Sequence, residues 1–158
     1  MKPDFFVNSL LEIPLDVLKD KGIQGLIIDL DNTLTNWNCS VIDKEICKWL
    51  ADLEKQGFKI IIVSNNSSER IEASLSKLNL PYVPYALKPG KRAFLKAMKI
   101  LGTTVNTTAV IGDQLFTDIL GGKRLGLTTI LVPPLNKKEF IGTRIMRKLE
   151  KIILSRYL

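Results

Sequence analysis

Four aspartates stand in two short segments that are far apart in the chain. Asp29 and Asp31 belong to Asp-Leu-Asp-Asn-Thr, and Asp113 and Asp118 belong to Gly-Asp-Gln-Leu-Phe-Thr-Asp. Carboxylates brought together repel, and each raises the pKa of its neighbour. A divalent cation removes that problem, and Mg²⁺ binds a few carboxylates together with water and substrate phosphate. We therefore predict a Mg²⁺ site at these four residues.

Within this site the aspartates need not act alike. Asp29, Asp113 and a backbone carbonyl near Asp31 would be enough to hold the ion. Asp118 could order a metal-bound water or hold Lys88.

The spacing of Asp29 and Asp31 suits phosphoryl transfer. At the end of a strand the chain can twist so that both side chains point at one phosphoryl group. One carboxylate can then attack phosphorus and form an aspartyl-phosphate. The other can protonate the leaving oxygen and later deprotonate the hydrolytic water. Ser64 and Lys88 are expected to bind the phosphoryl oxygens.

The composition excludes several other chemistries. The chain of 158 residues has no histidine and two cysteines. A Ser-His-Asp or Cys-His nucleophile is therefore excluded, and a zinc site is not expected. We interpret Cys39 and Cys47 as reduced thiols in a cytosol-like compartment, and neither a secretory signal nor a transit peptide fits the N-terminus.

Strands alternate with helices along the chain. Short apolar runs predict strands, and apolar residues at helical spacing predict helices. The predicted strands are Gly25–Leu30, Phe58–Ser64, a short one around Tyr82, Thr108–Gly112 and Thr128–Val132, and the predicted helices are Ile42–Gln56, Ser68–Leu78, Lys91–Leu101 and Thr117–Leu125. This order predicts one α/β domain over residues 1–158, with a doubly wound, mainly parallel sheet flanked by helices. Ligands of such sheets bind at the carboxyl ends of the strands, where the candidate residues stand.

Each segment also has a plain structural interpretation. Asp31-Asn-Thr could be a turn or a helix cap, Ser64-Asn-Asn a polar loop, Gly112-Asp113 an ordinary turn, and Lys88 a solvated lysine. Only their joint occurrence at the ends of predicted strands favours a catalytic site.

These segments together resemble the four motifs of the haloacid dehalogenase (HAD) superfamily. Asp29-Leu-Asp-Asn-Thr-Leu resembles the first motif, Ser64 the second, Lys88 the third and Gly-Asp113-Gln-x-x-Thr-Asp118 the fourth. The resemblance implies that Asp29 is the nucleophile, Asp31 the general acid/base, and Asp113 a Mg²⁺ ligand. It also implies that Ser64 binds phosphate and Lys88 neutralises the intermediate. Thr33 and Asn65 are expected to support the turn and bind substrate.

The spacing of the motifs leaves no room for a cap domain. One loop and one helix fill the segment from Asp29 to Ser64, and one helix and a short strand fill the segment from Ser64 to Lys88. An uncovered site favours a large substrate: a protein, a nucleic acid end or a phosphate at a lipid surface.

The last 22 residues are strongly basic. They hold seven basic and two acidic residues, a net charge of +5 within the chain's total of +7. A basic amphipathic helix is predicted at about residues 137–156, with Ile141, Ile145, Leu149, Ile152 and Ile153 near one face. It could lie on an anionic membrane or pack on the sheet. The apolar residues near Phe5 and Leu10 are expected to dock on the core rather than touch lipid.

A closer resemblance is to the YqeG-type HAD phosphatases, which are related to organellar phosphatidylglycerophosphatases. It is carried by the motifs above, by Gly-Ile-Gln-Gly25 before the first strand, and by Thr143-Arg-x-x-Arg-x-x-Glu150. It implies hydrolysis of phosphatidylglycerophosphate to phosphatidylglycerol, in the cytoplasm or peripherally on the inner face of a membrane. The alternatives are a capless phosphatase acting on a phosphoprotein, nucleotide or nucleic acid end, although a nucleic acid partner is not favoured, and a receiver-like signalling module.

Overall fold

The computed structural model describes residues 1–36, 39–136 and 141–155, and it describes no side chains for residues 141–147. The strands are β1 Phe5–Phe6, β2 Gly25–Ile28, β3 Lys59–Val63, β4 Tyr82–Val83, β5 Thr108–Gly112 and β6 Thr128–Leu131. The helices are α1 Leu15–Asp20, α2 Lys44–Lys55, α3 Ser68–Ser74, α4 Lys91–Leu101, α5 Leu120–Leu125 and α6 Ile141–Ser155. Two 3₁₀ turns, Leu10–Glu12 and Val105–Thr107, and a π-helical turn, Leu115–Ile119, complete the elements.

All six described strands run parallel, in the order β1-β6-β5-β2-β3-β4. The chain passes from β2 outward through β3 to β4, and then returns to place β5 on the other side of β2. The strand order therefore switches between β2 and β5, where Ile28 pairs with Ile111. The predicted doubly wound α/β fold is confirmed.

Side chains alternate between the two faces of the sheet along each strand, and helices cover both faces. On one face Leu26 and Ile28 join a cluster that includes Leu50 and Leu53 of α2. On the other face Ile27 joins a cluster that includes Phe94 of α4. The central strands β2 and β5 therefore lie between two layers of helices. This packing fixes the positions of the residues that follow the two strands.

Several element bounds differ from the sequence predictions. β2 ends at Ile28 rather than Leu30, because the carbonyl of Leu30 accepts the backbone N–H groups of Leu34 and Thr35 and closes a turn. The helix after β3 ends at Ser74 rather than Leu78, and its N-cap is Ser67. The Ser67 hydroxyl, not that of Ser68, accepts the N–H of Arg70.

The N-terminal segment docks on the body of the protein. Phe5 and Phe6 pair with β6 as an edge strand that the sequence did not predict. Phe5 is partly buried against the core and Leu10 is buried, whereas Phe6 and Leu11 stay exposed. The expected docking is confirmed for Phe5 and Leu10.

The C-terminal helix α6 divides its predicted apolar face between the body and solvent. Ile153 packs beside Leu115 and Ile119, whereas Leu149 and Ile152 are about half exposed. Glu150 is buried and fixes the rotation of the helix, because its carboxylate accepts the N–H of Leu115. The predicted residues 137–140 and 156 lie outside the described residues, as do the side chains of Ile141 and Ile145. In the described chain, the longest apolar helical stretches fall short of what crossing a membrane requires.

Candidate active site

Neighbouring strands place Asp29 and Asp113 at the same edge of the sheet. Asp29 follows β2 and Asp113 follows β5, so the two residues flank the point where the strand order switches. One carboxylate oxygen from each of Asp29, Asp113 and Asp118 lies within 4.8 Å of the others. All three residues are buried. Such close, buried carboxylates could hold a metal ion.

Lys88 contributes a positive charge to this cluster. Its Nζ lies 2.5 Å from Oδ1 of Asp29 and 2.6 Å from Oδ1 of Asp118, and it donates to the carbonyl of Val63 at 3.0 Å. Burial alone would lower the pKa of Lys88, but the two carboxylates outweigh it and raise the pKa above its ordinary value. Lys88 therefore stays protonated across the whole physiological pH range.

For Asp29, a raised pKa favours the uncharged form instead. Burial raises its pKa well above the ordinary value, and the charges of Asp118 and Asp113 raise it further, while Lys88 acts against them. The ionised form of Asp29, which a nucleophile needs, is thus disfavoured by this arrangement alone.

Thr33 links the two strand ends. Its hydroxyl lies 3.2 Å from Oδ1 of Asp113 and 3.5 Å from Oδ2 of Asp29. Thr33 is buried in the turn that follows β2, so its hydroxyl faces the carboxylates rather than solvent. Predicted as a turn and substrate residue, it is placed by the structure between Asp29 and Asp113.

Asp118 reaches the cluster from the π-helical turn. Its Oδ1 holds Lys88, and its Oδ2 accepts the N–H of Gln114 at 3.3 Å. A Cβ atom on Gly112 would lie 2.3 Å from the carboxyl carbon of Asp118, so only glycine leaves room for this side chain. Of the two roles predicted for Asp118, the geometry fits the one in which it holds Lys88.

Asp31 lies outside the group of three close carboxylates. Its Oδ1 is 2.7 Å from Nη2 and 3.3 Å from Nε of Arg70, and its Oδ2 accepts the amide of Asn66. The described contacts therefore fix the Asp31 carboxylate on α3 and the loop before it. Metal ligation by its side chain or backbone, and acid/base catalysis by its carboxyl, remain predictions.

Ser64 and Asn65 stand at the end of β3. Ser64 is buried, and its hydroxyl accepts the N–H of Asn66 at 3.1 Å. The side-chain oxygen of Asn65 accepts the N–H of Lys88 at 2.9 Å. Asn65 therefore positions the backbone of the lysine loop, a contact distinct from the substrate binding predicted for it.

Two residues that contact the site were not among the predicted site residues. Arg70 pairs with Asp31 and also donates to the carbonyl of Cys39 at 3.2 Å. Glu150 accepts the N–H of Leu115 at 2.7 Å and that of Phe116 at 3.4 Å, two and three residues after Asp113. Neither residue stands beside a strand end, which was the signal used to find the others.

The cluster brings several carboxylate oxygens together. Asp29, Asp113 and Asp118 each offer one such oxygen, and these atoms lie close to one another in a buried site. Buried carboxylates at this distance repel one another unless cations lie among them, and Lys88 is one such cation, at Asp29 and Asp118. The type and closeness of the oxygen donors fit a hard divalent cation.

Family comparisons agree with this geometry. The family model described as mitochondrial PGP phosphatase matches residues 1–81, and the one described as HAD-hydrolase-like matches residues 86–134. The probable phosphatase YqeG of Bacillus subtilis (strain 168) is 38% identical over 153 residues, which cover 97% of this chain and 89% of that protein.

A second relative is longer than this chain. The chloroplastic/mitochondrial phosphatidylglycerophosphate phosphatase 1 of Arabidopsis thaliana is 30% identical over 172 residues, which cover 99% of this chain. The match spans 48% of the Arabidopsis protein, so this chain corresponds to about half of it.

Solved structures share the fold. The cobalt-bound deoxy-D-mannose-octulosonate 8-phosphate phosphatase of Haemophilus influenzae superposes with a TM-score of 0.59 at 19% identity. The superposition covers 71% of this chain and 69% of that one. Taken with the matches above, the chain belongs to the HAD superfamily, in the YqeG-type family related to phosphatidylglycerophosphate phosphatases, and it is a phosphatase that hydrolyses phosphate monoesters.

Proposed function

We propose that this protein is a Mg²⁺-dependent phosphatase that works through an aspartyl-phosphate on Asp29 and converts phosphatidylglycerophosphate to phosphatidylglycerol. The observation that carries the proposal is the buried cluster of three close carboxylates, with Lys88 in contact with Asp29 and Asp118. A divalent cation and a phosphoryl group are ligands that such a site can bind together.

Asp29 and Asp113 would hold the metal, with a backbone carbonyl near Asp31 as a further ligand. Asp118, which reaches the cluster from the π-helical turn and holds Lys88, would order a metal-bound water. When bound, Mg²⁺ would neutralise phosphoryl oxygens and favour the ionised form of Asp29.

In the first step a carboxylate oxygen of Asp29 attacks phosphorus, and the bond between phosphorus and the ester oxygen breaks. Asp31 gives its proton to the departing ester oxygen, which leaves as an alcohol. Lys88, already 2.5 Å from Asp29, stabilises the charge on the phosphoryl oxygens, and Ser64 donates to one of them.

In the second step Asp31 takes a proton from water. The water oxygen attacks phosphorus, the bond to the Asp29 carboxylate breaks, and inorganic phosphate and free Asp29 result. Arg70 and Asn66 hold the Asp31 carboxylate in one orientation for both steps.

A lipid substrate is supported by the relatives, by the short segments between the motif residues and by the exposed face of α6. The Arabidopsis relative is a phosphatidylglycerophosphate phosphatase. In the described chain, α2 with its preceding loop and α3 with β4 are all that separates the motif residues, and no cap is inserted there. The exposed side of α6 carries Lys148, Leu149, Lys151 and Ile152, which suits peripheral contact with an anionic bilayer on the cytoplasmic side.

The test is phosphate release from phosphatidylglycerophosphate in mixed micelles, with Mg²⁺ or with EDTA. We expect activity only with Mg²⁺, a loss of at least about a thousandfold in Asp29→Asn, and no change in Asp43→Asn, the same substitution at an exposed aspartate outside the site. Acid-quenched enzyme should carry one phosphoryl group on the peptide that contains Asp29.

A panel of phosphoproteins, nucleotides and nucleic acid ends distinguishes the alternative substrates. Turnover of one of these with none of the lipid would replace the lipid assignment. Activity in EDTA, or full activity of Asp29→Asn, would remove the metal-dependent aspartyl mechanism itself.

A further inference from the structure

Exposed apolar side chains lie on the segments that follow β2, β4 and β6, at the edge of the parallel sheet where the candidate active-site residues stand. Four of them, which we call the apolar rim, are Val41, Tyr85, Leu87 and Leu135. Leu87 is 81% exposed, Val41 66% and Tyr85 61%, so these side chains contribute almost nothing to the core. Single exposed apolar residues are ordinary, whereas several at one edge of the sheet favour a binding surface.

Backbone contacts tie two members of the rim to the catalytic loops. Leu87 directly precedes Lys88, whose own N–H is held by Asn65. The N–H of Tyr85 donates to the carbonyl of Asn66 at 2.9 Å, and the side chain of Asn66 holds Asp31.

The other two members are attached to the turn after β2. Arg70 bridges Asp31 and the carbonyl of Cys39, two residues before Val41. The N–H of Leu135 donates to the carbonyl of Asn32 at 2.9 Å. Each member therefore stands near a residue that holds or neighbours Asp31 or Lys88, through the chain or through a backbone hydrogen bond.

The backbone presents Tyr85 and Leu87 in an unusual conformation. Their φ angles are 47° and 51°, in the left-handed region that bulky side chains rarely adopt. The carbonyl of Leu87 accepts the N–H of Gly90, where a Cβ atom would lie only 2.8 Å from that carbonyl. This strained backbone presents two large apolar side chains to solvent beside Lys88.

Positive charge stands next to the rim. Lys91 and Arg92 are exposed in the first turn of α4, which contains no acidic residue. The helix dipole disfavours cations at this end of a helix, so these two residues do not serve helix stability. Beside exposed apolar side chains they favour an anionic surface that also accepts apolar groups.

We infer that the apolar rim inserts into the interface of an anionic phospholipid bilayer and so places Asp29 against a lipid phosphate. The inference rests on the proposed lipid substrate, which it extends by assigning the docking surface to the active-site loops and not to α6 alone. Leu87 and Tyr85 enter the boundary between headgroups and acyl chains, and Lys91 and Arg92 contact lipid phosphates.

The experiment measures co-sedimentation with vesicles of phosphatidylglycerol and phosphatidylcholine, or of phosphatidylcholine alone. Leu87→Asn and Tyr85→Asn are suitable variants because asparagine tolerates the left-handed region. The matched control is Ile100→Gln, which removes a half-exposed apolar side chain at the other end of α4. A variant of α6, Lys148→Gln with Lys151→Gln, measures that helix separately.

We expect wild type to bind the anionic vesicles and each rim variant to bind them roughly tenfold more weakly, with Ile100→Gln unchanged. Lys91→Gln with Arg92→Gln should weaken binding to anionic vesicles only. The rim variants should hydrolyse the soluble ester p-nitrophenyl phosphate at the wild-type rate and lose activity only on lipid in vesicles.

Unchanged vesicle binding in both rim variants overturns the inference, as does a wild type that binds neither kind of vesicle. Binding that is lost only in the α6 variant also overturns it. Binding that depends on the rim without hydrolysis of phosphatidylglycerophosphate supports the inference and rejects the proposed substrate. Hydrolysis of phosphatidylglycerophosphate in detergent, together with vesicle binding that does not depend on the rim, supports the proposed substrate and rejects the inference.

Discussion

The carboxylate of Glu150 on α6 accepts the backbone N–H of Leu115 at 2.7 Å, 35 positions away in the chain and two residues after Asp113. Leu115 begins the π-helical turn that carries Asp118, and Asp118 holds Lys88 against Asp29. Glu150 is itself buried. The C-terminal helix therefore contacts the turn that carries Asp118 through the Glu150 hydrogen bond as well as through the packing of Ile153. We expect removal of the Glu150 carboxylate to affect the candidate active site.

Glu150→Ala should destabilise the protein and lower turnover. The substitution leaves the N–H groups of Leu115 and Phe116 without this acceptor, and an unsatisfied buried donor costs about 1–3 kcal/mol. Denaturant unfolding measures the stability, and kcat on a soluble phosphate ester measures the site. Glu150→Gln, which keeps an acceptor oxygen, is the matched control and should retain most of both. Equal losses in the two variants would show that charge, not the accepted hydrogen bond, is what matters.

Arg70→Ala should reduce kcat by roughly ten- to a hundredfold, since a misplaced catalytic group loses rate steeply. Arg70 contacts one oxygen of Asp31 through two nitrogen atoms, and it also anchors the carbonyl of Cys39. Arg70→Lys keeps the charge but not the paired geometry, so it should restore only part of the rate. The check is a pH–rate profile for each variant.

If Arg70 positions Asp31, the limb of the pH–rate profile that reports the general acid/base should change together with kcat. A lower kcat with an unchanged profile and unfolding midpoint would indicate instead that Arg70 binds substrate. Glu69→Gln, at the exposed neighbouring position on α3, serves as the control and should leave the profile unchanged.

Asp113 and Asp118 should respond differently to Mg²⁺. Asp113 follows β5 beside Asp29 and would ligate the ion directly, whereas Asp118 holds Lys88 and would reach the ion through a water molecule. Asp113→Asn should therefore raise the Mg²⁺ concentration for half-maximal activity by about tenfold or more. Asp118→Asn should lower kcat with a smaller effect on that concentration. Mg²⁺ titrations of activity separate the two, and the opposite ranking would make Asp118 the stronger ligand.

Sequence patterns predicted the part of the site that depends on local rules. Strand ends, buried apolar runs and glycine stops place Asp29, Ser64 and Asp113, because parallel strands deliver their carboxyl ends to one edge. The edge strand at Phe5–Phe6 was missed because two residues carry no measurable period. The contacts of Arg70 and Glu150 were missed because they depend on how α3 and α6 are rotated in the folded chain.

The raised pKa of Asp29 should make the free energy of unfolding depend on pH. The folded-state pKa of Asp29 is raised, first by burial and then by the charges of Asp118 and Asp113. Between the ordinary pKa of an aspartate, about 3.9, and the raised folded value, the folded protein holds a proton that the unfolded chain has lost. Without metal, the contribution of Asp29 to stability should therefore fall as the pH rises through this window.

Asp29→Asn should consequently stabilise the metal-free protein at neutral pH, by on the order of 1 kcal/mol, while abolishing turnover. Mg²⁺ should reverse the order, because an ion that binds only the folded wild type stabilises it by mass action. Denaturant unfolding in EDTA and in Mg²⁺, from pH 5 to pH 8, tests both statements, with Asp43→Asn as the control. A metal-free Asp29→Asn less stable than wild type at every pH would show that the contact with Lys88 outweighs the burial and repulsion of the three carboxylates.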